Sequence, residues 1–279
     1  MHSPSSVPGL RFDSPAAGAP AVTSSLVRLQ SGIRLRCLEQ GSPDGDPVLL
    51  LHGWSDSSFS YSPVLPLLPG NVRAIVPDQR GQGDSDRPLH GYTMTDLALD
   101  ALDLLDAFEI ARATVVGHSM GGFVAQHVAV LAPERVSKLV LVATAADPRT
   151  DVVSSMSDMV DAIEDPVDAL FIRNFQAGTI HGNVSDEFLE TVVAESRKLP
   201  ARVWKALYRG FMDPAPPDLD GVRCPVHIMW GDQDTVFSRR DQDLLVERLP
   251  GAALTVLPGI GHALHWEAPE ALARVLSRS

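Results

Sequence analysis

Apolar positions along this chain fall into short, dense runs whose spacing predicts two kinds of element. Leu26-Val27-Arg28-Leu29, a turn at Ser31-Gly32, then Ile33, Leu35 and Cys37 alternating with Arg34 and Arg36 predict a hairpin. The sheet is therefore expected to start antiparallel. Uninterrupted runs follow at Val48 to Leu51, Val72 to Val76, Ala113 to Gly117 and Leu139 to Ala143, as expected of strands covered on both faces. Met94 to Phe108 sets Leu97, Leu104, Leu105 and Phe108 on one side, with Asp96, Asp100, Asp103 and Asp106 mostly on another, which predicts an amphipathic helix. Strand and helix alternating in this way imply a parallel sheet with helices on both faces, joined by right-handed crossovers.

The alternation stops after Ala146. Asp147 to about Gly221 keeps helix-like apolar spacing without a convincing strand, and strands resume at Val226 to Trp230 and Ala253 to Leu257 before a closing helix from about Glu267. The expected organisation is a core over 23–146 and 221–279, split by a helical cap over 147–220. Residues 1–22 carry Pro4, Pro8, Pro15 and Pro20 among Ser, Ala and Gly, without the basic start and apolar run of a secretory signal. They read as a flexible arm.

Composition narrows the class. With 279 residues, 44% of them hydrophobic and 21% charged, the chain can bury a sizeable core, so a largely disordered or fibrous protein is excluded. Lys plus Arg number 23 against 35 for Asp plus Glu, a net charge of −12 that repels a phosphate backbone and an anionic lipid surface. No nucleic-acid partner is expected, and no run of about 18 apolar residues suggests a membrane span. Cys37 and Cys224 form no Cys-x-x-Cys pair, which points away from a disulfide framework or structural zinc and makes the cytoplasm the expected location. The chain has no Gly-rich phosphate loop with Lys, no paired Cys/His spacing and no dinucleotide fingerprint, so neither cofactor nor metal is expected. Oligomeric state stays open: the arm reads either as a segment docking on a second copy in a homo-oligomer or as a disordered tail.

The strongest chemical signal is Gly117-His118-Ser119-Met120-Gly121-Gly122, which follows the apolar strand Ala113 to Val116 and opens the apolar segment Phe123 to Leu131. At such a strand-to-helix turn the flanking glycines allow a sharp bend that presents the Ser119 hydroxyl at a helix N-terminus, where partial positive charge favours a developing anion. A serine attacking a carbonyl needs a base for its proton and a carboxylate to orient that base. Residue type alone leaves both partners open among nine histidines and many acids.

His52-Gly53-Trp54, Pro77-Asp78-Gln79-Arg80-Gly81-Gln82-Gly83-Asp84-Ser85, the turn at Ser119, Gly231-Asp232-Gln233-Asp234 and Gly261-His262 resemble, in order, the landmarks of the α/β-hydrolase superfamily over roughly residues 24–279. The resemblance implies the α/β-hydrolase fold: a mostly parallel eight-stranded sheet flanked by helices, with an inserted helical cap. It also implies Ser119 as nucleophile, Asp234 as the acid, His262 as the base, and backbone N–H groups of Trp54 and Met120 as the oxyanion hole. Asp147 and Asp232 are the rival acids, and His265 is the rival base. His52 and His118 are expected to shape loops by hydrogen bonding, and the stretch with Asp78, Arg80 and Asp84 to be a structural loop. In the cap, Trp204, Tyr208, Phe211 and Met212 fall at helical spacing. Met156, Met159, Phe171, Phe175, Trp204 and Tyr208 are expected to line an apolar substrate pocket facing the site.

Serine at position 119 disfavours epoxide hydrolases and haloalkane dehalogenases, relatives that attack through a carboxylate, and favours acyl chemistry. Carbon–carbon hydrolases of the superfamily carry a Gly-rich stretch after His-Gly and an Asn before the nucleophile, where this chain has Trp54-Ser55-Asp56 and His118. The expected activity is cleavage of a carboxylic ester or lactone of moderate size and largely apolar character, a small-molecule substrate. Carbon–carbon hydrolysis and haloperoxidase-like perhydrolysis are alternatives, and a ligand-binding receptor on the same fold is the alternative from outside enzymology.

Overall fold

A computed structural model describes residues 21–213 and 215–277. The expected arm lies outside the described residues up to position 20, and Val22 already opens the first strand. β1 (Val22–Arg28) and β2 (Arg34–Gln40) form the antiparallel hairpin, with Arg28 opposite Arg34 across the Ser31-Gly32 turn. β2 pairs antiparallel with β4 (Val72–Pro77). From there β3 (Asp46–Leu51), β5 (Ala113–His118), β6 (Val136–Val142), β7 (Val226–Gly231) and β8 (Ala253–Leu257) run parallel. The eight strands lie in the order β1-β2-β4-β3-β5-β6-β7-β8. Every residue of β5, at the centre, is buried, whereas β8 at the edge is largely half-exposed, so the unbroken apolar runs do mark strands covered on both faces.

α1 (Met94–Ala107) begins with Thr93, whose hydroxyl accepts from Asp96 N while the Asp96 carboxylate accepts from Thr93 N, satisfying two otherwise orphaned donors. Its buried face packs on α2 (Met120–Leu131), the helix that follows the central strand. Asp100 does not join the solvent face expected for it. It stands three residues after Leu97 and four before Leu104, which places it on the apolar stripe, and it is buried there against Arg80 through bonds of 2.5 and 2.6 Å.

Between β6 and β7 the chain runs through α3 (Asp151–Ser155), α4 (Ser157–Asp161), α5 (Ala169–Ala177), α6 (Asp186–Ser196) and α7 (Ala201–Met212), with no strand among the described residues. Val203, Trp204, Leu207, Tyr208 and Phe211 are buried on α7, while Arg202 and Arg209 face solvent. These apolar residues belong to the same cluster as Leu49 and Leu51 of β3 and Phe123 of α2, so the helical segment is rooted in the core of the sheet. Trp204 is fully buried, and removing a side chain of that size typically costs roughly 3–5 kcal/mol. α8 (Arg239–Arg248) separates β7 from β8; after β8, α9 (Leu264–Glu267) and α10 (Pro269–Leu276) send Leu264, Leu272 and Leu276 into a second core cluster with Leu50 and Val140. Among the described residues, no helix is long and apolar enough to cross a membrane.

Candidate active site

Ser119 joins β5 to α2 with φ 52° and ψ −120°, a conformation costly for any residue with a Cβ. The surroundings hold it there: Ser119 N donates to Val142 O at 2.9 Å, and Gly122 N donates to Ser119 O at 2.8 Å. The turn is also tight enough to require glycine. A Cβ on Gly117 would overlap the Gly121 carbonyl, and one on Gly121 would overlap the Leu51 carbonyl of β3. Ser119 Oγ has no hydrogen-bond partner among the described residues.

His262 lies between β8 and α9, with Nδ1 at 3.1 and 3.0 Å from the two carboxylate oxygens of Asp234 in the loop after β7. A carboxylate accepts, so Nδ1 carries the proton and Nε2 keeps its lone pair. Asp234 Oδ1 also accepts from Val236 N at 2.8 Å and Phe237 N at 3.0 Å, which fixes the carboxylate, and both side chains are nearly solvent-free. Ser119, His262, Trp54 and Met120 line one cavity of about 270 Å³, with Asp234 behind the imidazole. Of the rival acids, Asp147 is paired to Arg149 within its own loop at 2.7 Å, and Asp232 accepts from Gly259 N at 2.7 Å.

Three further histidines are structural neighbours of this arrangement. His52 Nδ1 donates to Gly53 O at 2.9 Å and its Nε2 accepts from Gln79 N at 3.0 Å, clamping the loop of Trp54 to the loop after β4. Burial lowers its pKa to about 4, so it is neutral. His118 Nε2 donates to the carbonyl of His262 at 3.1 Å, leaving its Nδ1 as a buried lone pair without a partner. The rival base His265 contacts Ser60 Oγ at 2.7 Å. Burial holds both of these imidazoles well below the usual histidine range, and their neighbouring histidines add to the effect. Asp78 accepts from Ser58 N at 2.7 Å and Asp84 N at 2.8 Å and lies 3.7 Å from Arg36, which makes its stretch a brace between loops.

Of the six cap residues expected at the pocket, Met156 and Phe175 line the cavity. The other four need correction. Met159 and Phe171 border a separate hollow with Glu164 and Asp168. Trp204 and Tyr208 share the buried stripe of α7 and lie behind Trp54: the Trp204 ring packs 5.2 Å from that of Trp54, its carbonyl accepts from Trp54 Nε1 at 3.2 Å, and Tyr208 Oη donates to Val153 O at 2.9 Å. Phe211, one position further along the same stripe, does reach the cavity, as do Phe123, Val152, Val153 and Trp266. The wall also includes Asp56, which carried no signal in a Ser-rich turn. Asp56, His118 and His265 each bring a ligand-type atom within 4.8 Å of the others, the one such cluster among the described residues that could hold a cation.

A strained serine at a strand-to-helix turn, a carboxylate-held histidine in the same cavity and an eight-stranded mostly parallel sheet define an α/β-hydrolase. The model of the alpha/beta hydrolase family matches residues 48–275, and the chain belongs to that family. It is similar to an uncharacterized protein of Mycobacterium tuberculosis, 29% identical over 265 residues that cover 84% of this chain and 75% of the relative. Among solved structures it resembles a hydrolase from Pseudomonas aeruginosa with a TM-score of 0.81 at 24% identity, covering 91% of this chain and 96% of that one. An esterase from Exiguobacterium antarcticum superposes with a TM-score of 0.79 at 22% identity, over 91% and 98% of the two chains.

Proposed function

We propose that this protein is a serine hydrolase that cleaves a carboxylic ester or lactone of moderate size through an acyl-enzyme. The observation that carries the reading is the pairing in one cavity of a strained Ser119 with a His262 whose Nδ1 is held by Asp234. In this reading Ser119 Oγ attacks the carbonyl carbon while His262 Nε2 takes its proton. The tetrahedral oxyanion accepts hydrogen bonds from the backbone N–H groups of Trp54 and Met120. Collapse expels the alcohol, or opens the lactone, with the proton returned by His262, and water attacking by the same route releases the acid. Mostly apolar walls suit a largely apolar substrate, and α3 to α7 act as a cap that sets which acyl and alcohol groups fit.

Stopped-flow release of nitrophenol from a chromogenic ester tests this. A burst close to one equivalent per chain, followed by steady turnover, is the expected record. Stoichiometric binding without release would make the protein a ligand receptor and contradict the reading.

A further inference from the structure

The mechanism leaves the one carboxylate of the cavity wall without work. Asp56 lies two residues beyond Trp54, is 4% exposed and lines the cavity that holds Ser119 and His262. Its own contacts are to neutral donors: Oδ1 accepts from Ser57 N at 3.0 Å and Oδ2 accepts from Ser60 Oγ at 2.5 Å. Two bonds leave about half of a carboxylate's acceptor capacity open. The Ser60 hydroxyl is a hub, because it also accepts from Trp266 Nε1 at 2.9 Å and meets His265 Nε2 at 2.7 Å. With one proton to give, Ser60 donates to an ionised Asp56 and accepts from His265 Nε2, so His265 Nδ1 becomes a bare acceptor. That atom, like His118 Nδ1, is buried and unpartnered.

This end of the cavity therefore presents a carboxylate, with the neutral imidazoles of His118 and His265 beside it, and among the described residues of the wall no cation balances that carboxylate. No Lys or Arg belongs to the cavity wall among the described residues. His118 and His265 are held neutral by burial, and the charges that act on Asp56 from farther off, Glu195 and Asp78, are also negative. Burial, with those two carboxylates adding to it against the bonds from Ser60 and Ser57, pushes the Asp56 carboxyl up to about 7. A buried carboxylate lacking a countercharge is costly, and a ligand that supplies one recovers that cost.

We propose that Asp56 is the recognition site for a protonated amine on the substrate, so that the cavity selects amine-bearing esters or lactones over isosteric neutral ones. An ammonium brings a positive charge and three N–H donors, which suits the acceptor positions left open on the Asp56 carboxylate. A bound metal fits less well, because Ser60 Oγ already occupies the space between Asp56 and His265 at 2.5 and 2.7 Å. The proposal rests on the ester or lactone hydrolase reading, and its test separates the two.

Nitrophenyl esters of ω-amino acids of graded chain length are compared with alkanoate esters of equal heavy-atom count, at about pH 8 where the amine is charged. At one chain length wild type should prefer the amino ester in kcat/KM, and Asp56→Asn should lower that ratio at least about tenfold. The Asn amide can keep the Ser60 contact, and a thermal melt of the variant confirms folding. Calorimetry with hexylammonium against hexanol reads the same site without chemistry: wild type should favour the ammonium, and the variant should not. A ratio unaffected by Asp56→Asn at every chain length, or equal binding of the two probes by wild type, overturns the proposal. So does Zn²⁺ binding that depends on Asp56 while the ammonium goes unrecognised. Failure of every ester to turn over, with the ammonium still preferred in calorimetry, would instead sink the hydrolase reading and keep the subsite.

Discussion

At the scale of single residues, the site is decided by which lone pairs are already committed. Asp234 is fixed by two backbone N–H groups on Oδ1 and turns both oxygens toward His262 Nδ1, so the imidazole carries its proton there and keeps Nε2 unprotonated. Asp234→Asn should keep the fold yet lower turnover by up to about 10⁴, since an amide donor favours the other tautomer. Asp147→Asn and Asp232→Asn, which alter a loop ion pair and a turn cap, should stay within about tenfold of wild type. Steady-state rates of the three variants side by side check this, and a crippled Asp147 variant would move the acid to the loop after β6. Asp56 makes a second prediction. Its carboxyl is raised from 3.8 to about 7, so the folded state holds the proton more tightly than the unfolded one. Stability from this group is complete below about pH 4 and is lost as pH rises toward 7. Asn at this position carries no charge to desolvate. Its stability relative to wild type should therefore grow between about pH 5 and pH 8, by roughly 2–3 kcal/mol in denaturant melts, and a pH-independent difference would refute the buried ionisation.

At the scale of elements, what was legible in the sequence was whatever burial writes continuously along the chain. Strands β3 to β6 announce themselves because both faces are covered, and the Ser119 turn does so because Gly117 and Gly121 are sterically required. Asp100 was misread because a charged residue inside an apolar stripe makes sense only once Arg80, twenty residues earlier, is seen beside it. The cavity wall was legible only in part, because Val153, Phe175, Phe211 and Trp266 come from four separate helices and meet only through the fold. A stripe such as that of α7 shows which residues are buried; which of them stops at Trp54 and which reaches the cavity is a matter of tertiary packing. Phe175→Ala should therefore reorder the preference among esters of different acyl size, whereas Met159→Ala, bordering the separate hollow, should change all rates by one factor or none. Parallel panels of kcat/KM distinguish the two patterns, and reordering by Met159→Ala alone would show that the wrong hollow had been taken for the substrate site.

At the scale of the whole molecule, two core clusters sandwich one sheet, and the loops at one end of its strands carry Trp54, Ser119, Asp234 and His262 while α3 to α7 supply much of the wall above them. In the proposed reading the loops of the sheet carry the chemistry, and the helices together with Asp56 carry the selectivity. That reading stands or falls with Ser119 as the nucleophile, which mass spectrometry of the protein after reaction with a fluorophosphonate tests. One adduct per chain on the peptide that contains Ser119, absent from Ser119→Ala, is the predicted result. An adduct on another residue, or a Ser119→Ala protein that is still labelled and keeps most of its turnover, would contradict it.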